Sequence, residues 1–458
     1  MGVTQIGGTG GRKRREKEAR RKKRREEPVE QTFNLKSDVR AATLDNFQVP
    51  APTDLSSWSR LSKLKIFTVR IAWWGGDKNK QLPAPLEGGE RVLFLCGASP
   101  IISGEILFTM AQIKGINAHD RPPEAVRQCY KKYTRCSLSD INHDLEILDL
   151  QRLDPDELPP GITVSQYMSS QDLRLAFDDF IRGGHASDKE HAPLAENIPV
   201  FTHNAVSGLL MIPSLFPPTV QIELLSRLLH RDLPNPKHKT NLHLHYDVTY
   251  PEGSDNQDTP KSFFTDDPTR ILQPKDPQVH KPLTIQGVLE KKLRWVTLGG
   301  QYDWTAKVYP SEPPPPFPQD VAKLLKAAFP ETDAQAAILN LYSAGDTLSA
   351  HRDVSEECDI GLISVSFGCD GLFLISHDDG NGAEVIRLRS GDAVYMDGTS
   401  RFAWHGVPKV LPATCPSWLA DWPSLGEDAP GSPYQMWKGW MSSKRINLNV
   451  RQMTSPAP

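Results

Sequence analysis

Beyond the first 120 residues or so, the apolar positions fall into two rhythms. The stretch EAVRQCYKKY, entered through Pro122 and Pro123, suits a helix with proline in its first turn, where a missing N–H costs nothing. Gln171 to Ile181 repeats Leu173, Leu175, Phe177 and Phe180 at helical spacing. Pro217 to His230 does so more strongly, with Val220, Leu224, Leu225 and Leu228 on one face. A further helix is predicted over Pro318 to Ala328. After it the spacing shortens toward two. Ile338 to Tyr342, Leu362 to Phe367, Leu372 to Ile375, Val385 to Leu388, Ala393 to Met396 and Arg445 to Arg451 are short runs bounded by Gly, Asp and Asn, a pattern that signals a β-sandwich or barrel. The stretch from Pro234 to Pro282, polar and rich in Pro, Asp and Lys, reads as a long surface loop.

Residues 1–116 show neither rhythm. They hold Pro/Gly-rich pieces with isolated Trp58, Trp73 and Trp74, and are expected to be largely disordered. Eleven basic residues and only two acids, Glu16 and Glu18, lie between Arg12 and Arg25. The chain's net charge of −3 therefore hides an acidic body, so nucleic-acid contact has to come from local basic patches or from this arm. The basic run points to the nucleus or cytoplasm, and its arginines leave a mitochondrial destination open. Within the remaining length the expected division is a helical extension over 117–200, packed on a core domain over 201–458.

Composition narrows the classes further. With 38 % hydrophobic and 24 % charged residues, collagen-like, coiled-coil and multi-span membrane chains are excluded. The longest greasy stretch, Val92 to Phe108, is interrupted by Gly97, Pro100, Gly104 and Glu105, so no membrane passage is expected. Cys96, Cys129, Cys136, Cys358, Cys369 and Cys415 form no CxxC pair, which reads as free thiols in a reducing compartment.

His-x-Asp on a strand projects an imidazole and a carboxylate to one face, where both can reach a single metal. Such pairs include His245/Asp247, His351/Asp353 and His377/Asp379. The first sits at the edge of the polar stretch. The last falls in HDDGNG, which turn chemistry explains without a metal. His351/Asp353 follows a strand-like run and precedes several β segments and then His405, leaving enough chain for a jelly roll to return His405 beside the pair. Two histidines and one carboxylate form the facial triad of non-haem Fe(II) oxygenases. In RINLNVRQM, Arg445, Asn447, Asn449 and Arg451 alternate with Ile446, Leu448 and Val450. Two arginines facing a barrel interior call for bound anions, and a dicarboxylate such as 2-oxoglutarate would supply both ends. Their α-carbons lie about 20 Å apart along a strand, so Arg451 is also a candidate to brace Asp353 or another carboxylate.

The motifs NLYSAGDTLSAHRDVSE, SVSFGCDGLFLI, SGDAVYMDGTSRFAWHGVPKVLP and RINLNVRQM together resemble the AlkB family of Fe(II)- and 2-oxoglutarate-dependent dioxygenases. WVTLGGQYDWTAKVYP and RPPEAVRQCYKKY resemble its eukaryotic branch, AlkB homologue one. The similarity covers about residues 118–453. It implies an α+β fold with a double-stranded β-helix (jelly roll) core and flanking helices. It also implies His351, Asp353 and His405 as iron ligands and Arg445 as partner of the distal carboxylate of 2-oxoglutarate. Arg451 and Asn447 would support the metal-proximal end, and Asn340 and Tyr342 would hydrogen-bond the same cosubstrate. One departure is Asn449, where the family's RxNxTxR usually has Thr. The implied reaction couples O2 and oxidative decarboxylation of 2-oxoglutarate to oxidation of a methylated base in tRNA or DNA. Tyr302 and Trp304 are rim aromatics able to stack on such a base, with Arg401 near His405 as a further contact. Two other readings stay open: a histone or other protein side chain as target of the same chemistry, and a silent binding module on the same barrel.

Overall fold

The computed structural model describes residues 119–454, except 183–196, 253–260, 304–308, 311, 357 and 427–431. Before residue 119 it describes only Ile116 and the two-residue strands Ala72–Trp73 and Phe94–Leu95, which pair in parallel. The basic run, Cys96 and the expectation of disorder over 1–116 otherwise lie outside the described residues, as does Trp304.

Five helices bear on the site: α1 (Glu124–Arg135), α2 (Leu138–His143), α3 (Ser170–Arg182), α4 (Pro218–Ser226) and α5 (Gln319–Ala328). Pro123 sits at the N-cap of α1, one position ahead of the first turn expected for it, Pro218 opens α4, and Ser137 with Asp140 forms a reciprocal capping box on α2. The apolar rhythm of α4 carries past its end into a π-turn over Arg227–Asp232. The strands of the two large sheets are β1 (Ile147–Asp149), β2 (Ile162–Met168), β3 (Ile198–His203), β4 (Val206–Ile212), β5 (Trp295–Gly299), β6 (Ala336–Ser343), β7 (Leu348–His351), β8 (Leu362–Gly368), β9 (Gly371–Ser376), β10 (Ala383–Leu388), β11 (Ala393–Met396), β12 (His405–Val410) and β13 (Lys444–Arg451), and Tyr246–Asp247, Ile271–Pro274 and Leu283–Thr284 form a separate small sheet.

Two sheets form a jelly roll. The larger runs β5-β6-β13-β8-β11-β4-β3-β2, and the smaller β7-β12-β9-β10-β1. All neighbours are antiparallel except β1, which joins β10 in parallel. The alternation along each strand decides what faces what. On β8, Ile363, Val365 and Phe367 point outward into a core shared with α3, α4 and α5, while Leu362, Ser364 and Ser366 point inward. On β13, Ile446, Leu448 and Val450 join the same outer core, each fully buried and worth about 1.5–3 kcal/mol of burial. This sends Arg445, Asn447, Asn449 and Arg451 to the inside. On the smaller sheet, Phe373, Ile375, Ile386 and Leu388 face inward, whereas Leu372, Leu374 and Val385 pack outward against α1 and α2.

Two expectations need amending. The segment 117–200 supplies strands as well as helices, since β1 extends the smaller sheet and β2 and β3 the larger. The stretch over 234–282 is not wholly a surface loop: Leu242, Phe263, Phe264 and Leu272 are buried and anchor its turns in the helical core. Isolated apolar anchors carry no periodicity, so sequence rhythm could not find them. Among the described residues no helix is long and apolar enough to cross a membrane, and Cys129, Cys136, Cys358, Cys369 and Cys415 are free thiols.

Candidate metal and cosubstrate site

His351 ends β7 and His405 opens β12, and the two are cross-strand partners. Their ring centroids are 4.5 Å apart. Gly406 permits that pairing, because a Cβ there would lie 2.8 Å from the Leu348 carbonyl oxygen. Asp353 follows two residues after His351, with its Oδ1 3.6 Å from His351 Nε2. One ligand atom from each of the three falls within 4.8 Å of the others, which happens nowhere else among the described His, Cys, Asp and Glu residues.

The protonation pattern suits a cation. His351 Nδ1 donates to the Ser349 carbonyl at 2.9 Å and His405 Nδ1 to the Ala403 carbonyl at 3.1 Å. A carbonyl only accepts, so each Nδ1 carries a proton, and Nε2 is the ring atom left to face the centre. His405 Nε2 is buried without any partner. Burial, followed by the neighbouring His351, pushes His405 down to about 4, which keeps the ring neutral. Burial alone would raise the Asp353 carboxyl. Charge attraction, led by the Arg451 guanidinium with Arg401 behind it, outweighs it and holds Asp353 well below the usual carboxylate range.

The inward face of β13 and its neighbours forms the second half of the site. Registration sets Tyr342, Arg445 and Gly368 side by side, then Asn340, Asn447 and Ser366. Arg445 is fully buried and donates from Nη2 to Ser366 Oγ at 2.9 Å, while its Nε and Nη1 have no partner. The Tyr342 hydroxyl beside it is likewise unpaired, and burial pushes it up to about 12, so it stays a donor. Unpaired buried donors are costly. A carboxylate in the chamber would satisfy Arg445 Nη1 and the Tyr342 hydroxyl together. Asn447 is spoken for, donating to Ser364 Oγ at 2.8 Å and the Val365 carbonyl at 3.0 Å, and so braces the pocket floor. Asn449 faces the same chamber with its Oδ1 unpaired. Arg451 bonds Asp353 Oδ2, one of the two roles its position allowed, while its Nε and Nη1 make no hydrogen bond.

Gly371 explains how Arg445 fits. A Cβ at that position would meet Arg445 Nε at 2.3 Å. Gly371→Ala should therefore displace the guanidinium and raise the KM for 2-oxoglutarate about tenfold, the cost of roughly one charge-assisted hydrogen bond. Steady-state kinetics at varied 2-oxoglutarate would detect it.

The rim assignments divide. Tyr302 is half-buried and meets Tyr309 edge-on, with ring centroids 5.1 Å apart. Both hydroxyls are raised by burial and lie close enough to Asp353, Glu356 and Arg451 to feel their charges. Arg401 is not at the rim. It is wholly buried, and its guanidinium donates to the carbonyls of Ile360 and Asp353 and to Glu356. A lone arginine beside a ligand in sequence gives no sign of which way it turns. The rejected pairs have ordinary partners: His377 shares Glu384 with His203, Asp379 caps Asn381, and His245 packs on His280. Sequence reading missed Ser364 and Ser366, although their alternation inside an apolar strand was a usable signal, and also missed Glu356 and Tyr309.

Two imidazoles and a carboxylate at one end of a jelly roll, beside a buried and unsatisfied arginine–tyrosine pair, define a mononuclear non-haem iron oxygenase with a dicarboxylate cosubstrate. Residues 208–451 match the 2OG-Fe(II) oxygenase superfamily. The chain is 46 % identical over 360 residues to the N6-methyladenosine RNA demethylase ALKB1 of Pyricularia oryzae, covering 74 % of this chain and 98 % of that protein. It is 57 % identical over 228 residues to the N6-methyladenosine RNA demethylase ALKBH of Cryphonectria parasitica, covering 46 % and 99 %. It is 40 % identical over 263 residues to the tRNA demethylase abh1 of Schizosaccharomyces pombe, covering 56 % and 82 %. The chain belongs to the AlkB homologues of the 2OG-Fe(II) oxygenase superfamily, and is a dioxygenase that uses Fe(II), 2-oxoglutarate and O2.

Proposed function

We propose that this dioxygenase removes methyl groups from nucleic-acid bases, with N6-methyladenosine in RNA, including tRNA, as its first substrate class. The observation that carries this reading is the site itself, in a chain that aligns over nearly the full length of an RNA demethylase. Iron and 2-oxoglutarate, once bound, activate O2: one oxygen atom ends in succinate as CO2 leaves, and the other enters a substrate C–H bond. A hydroxylated N-methyl group then collapses to formaldehyde and the unmodified base.

The chain's own residues divide the work. His351, Asp353 and His405 hold the metal, Arg445 and Tyr342 take the distal carboxylate, and Arg451 with Asn340 and Asn447 line the metal-proximal end. His405 is buried while the His351 side chain is 35 % exposed, so substrate approaches past His351. A centre this enclosed reaches only a base that is unpaired or flipped out, and the half-buried Tyr302 would stack on it. The reading of a histone or other protein side chain as target has only the acidic body of the chain in its favour.

The test is a turnover screen over RNA and DNA oligonucleotides carrying N6-methyladenine, N1-methyladenine or methylcytosine, with methylated histone peptides as competitors. Formaldehyde released in step with succinate from methylated RNA is the expected result. Product from the peptides but from no oligonucleotide would overturn the reading.

A further inference from the structure

The two carboxylates Asp353 and Glu356 are locked between two guanidiniums that come from distant parts of the chain. Arg451 ends β13 and Arg401 lies in the turn before β12. Arg401, Arg451 and Glu356 are almost wholly withdrawn from water. Glu356 Oε1 is 3.0 Å from Arg451 Nε, and Oε2 accepts from Arg401 Nη2 at 2.9 Å. The same two guanidiniums also reach Asp353: Arg451 Nη2 bonds the side-chain Oδ2, and Arg401 Nη1 donates to the backbone carbonyl at 2.9 Å. Asp353 thus turns Oδ2 to Arg451 and leaves Oδ1 toward His351.

The charge count of this buried ring is two positive and two negative. A divalent ion at His351, Asp353 and His405 would add two more positive charges beside guanidiniums that cannot lose theirs. If Asp353 had to balance both arginines alone, a buried excess of positive charge would oppose the incoming cation, and the low surrounding dielectric would amplify the effect. Glu356 removes that excess. We infer that Glu356 is a positioning residue for the metal centre: it neutralises Arg401 and Arg451, so that Asp353 Oδ1 remains free and the site accepts a dication. The inference rests on His351, Asp353 and His405 being the metal ligands.

Mn(II) binding to the full-length protein, followed by calorimetry or by loss of the free-ion EPR signal, tests it without turnover. Glu356→Gln keeps the size and loses the charge, and its Kd for Mn(II) should rise about tenfold or more, the scale of one buried charge interaction. Glu356→Asp keeps the charge and should stay within about threefold of the parent. A role in packing alone would not be rescued by the shorter acid. A Gln variant that binds Mn(II) as tightly as the parent overturns the inference. Should the Gln variant not fold, a tenfold loss in the Asp variant does the same. A parent that binds no Mn(II) sinks the ligand assignment beneath it, and this inference with it.

Discussion

His351→Ala should abolish Fe(II)-dependent turnover while leaving the protein folded. The side chain is about one-third exposed, so its removal opens little buried space and should cost little stability. Its loss nonetheless takes one of three protein ligands from the centre. Removing only a hydrogen-bond partner of a metal-binding histidine typically costs about 10- to 100-fold in affinity or activity, so losing the histidine itself should exceed about 100-fold. Succinate formation and anaerobic absorbance of the Fe(II)–2-oxoglutarate complex would report it together. His377→Ala and His245→Ala should retain both signals, because those rings meet Glu384 and His280 and no metal group. Equal loss from His377→Ala would show that the wrong His-x-Asp pair had been chosen.

What made that pair legible was context more than the motif. Several His-x-Asp pairs occur, and His351/Asp353 both follows a strand-like run directly and precedes a train of short strands that can return His405. Strands buried on both faces, such as β8 and β9, announced themselves as apolar runs between Gly and Asp. The metal-bearing strands β7 and β12 did not. Each must seat a polar ligand and a close backbone crossing at Gly406, so LSAH and HGVPKV carry no clean alternation. β3 and β4 were hidden for another reason: they form a tight hairpin whose register shifts between Thr202 and His203, so their apolar residues keep no simple alternation. The arginines of β13 were legible as inward because the intervening Ile446, Leu448 and Val450 required the opposite face. Arg401 had no such constraint, and its burial depends on Glu356, a residue 45 positions away.

Arg445→Met supplies the other large effect, and its sign on stability separates binding from architecture. The parent guanidinium is fully buried with two N–H groups unpaired, a condition that weakens the fold in the absence of an anion. Burial accordingly depresses its pKa below the ordinary arginine value. Methionine has similar length and no polar hydrogens, so the variant should melt at the same temperature as the parent or higher when 2-oxoglutarate is withheld. Its affinity for 2-oxoglutarate should nevertheless fall by about 100-fold, because a carboxylate would lose its charge-assisted bonds and keep only the Tyr342 hydroxyl. Thermal melts with and without the cosubstrate would show both parts. Added 2-oxoglutarate should raise the parent's Tm and leave the variant's unmoved. A variant that melts far below the parent yet still responds to 2-oxoglutarate would mean that Arg445 holds the barrel together and does not hold the cosubstrate.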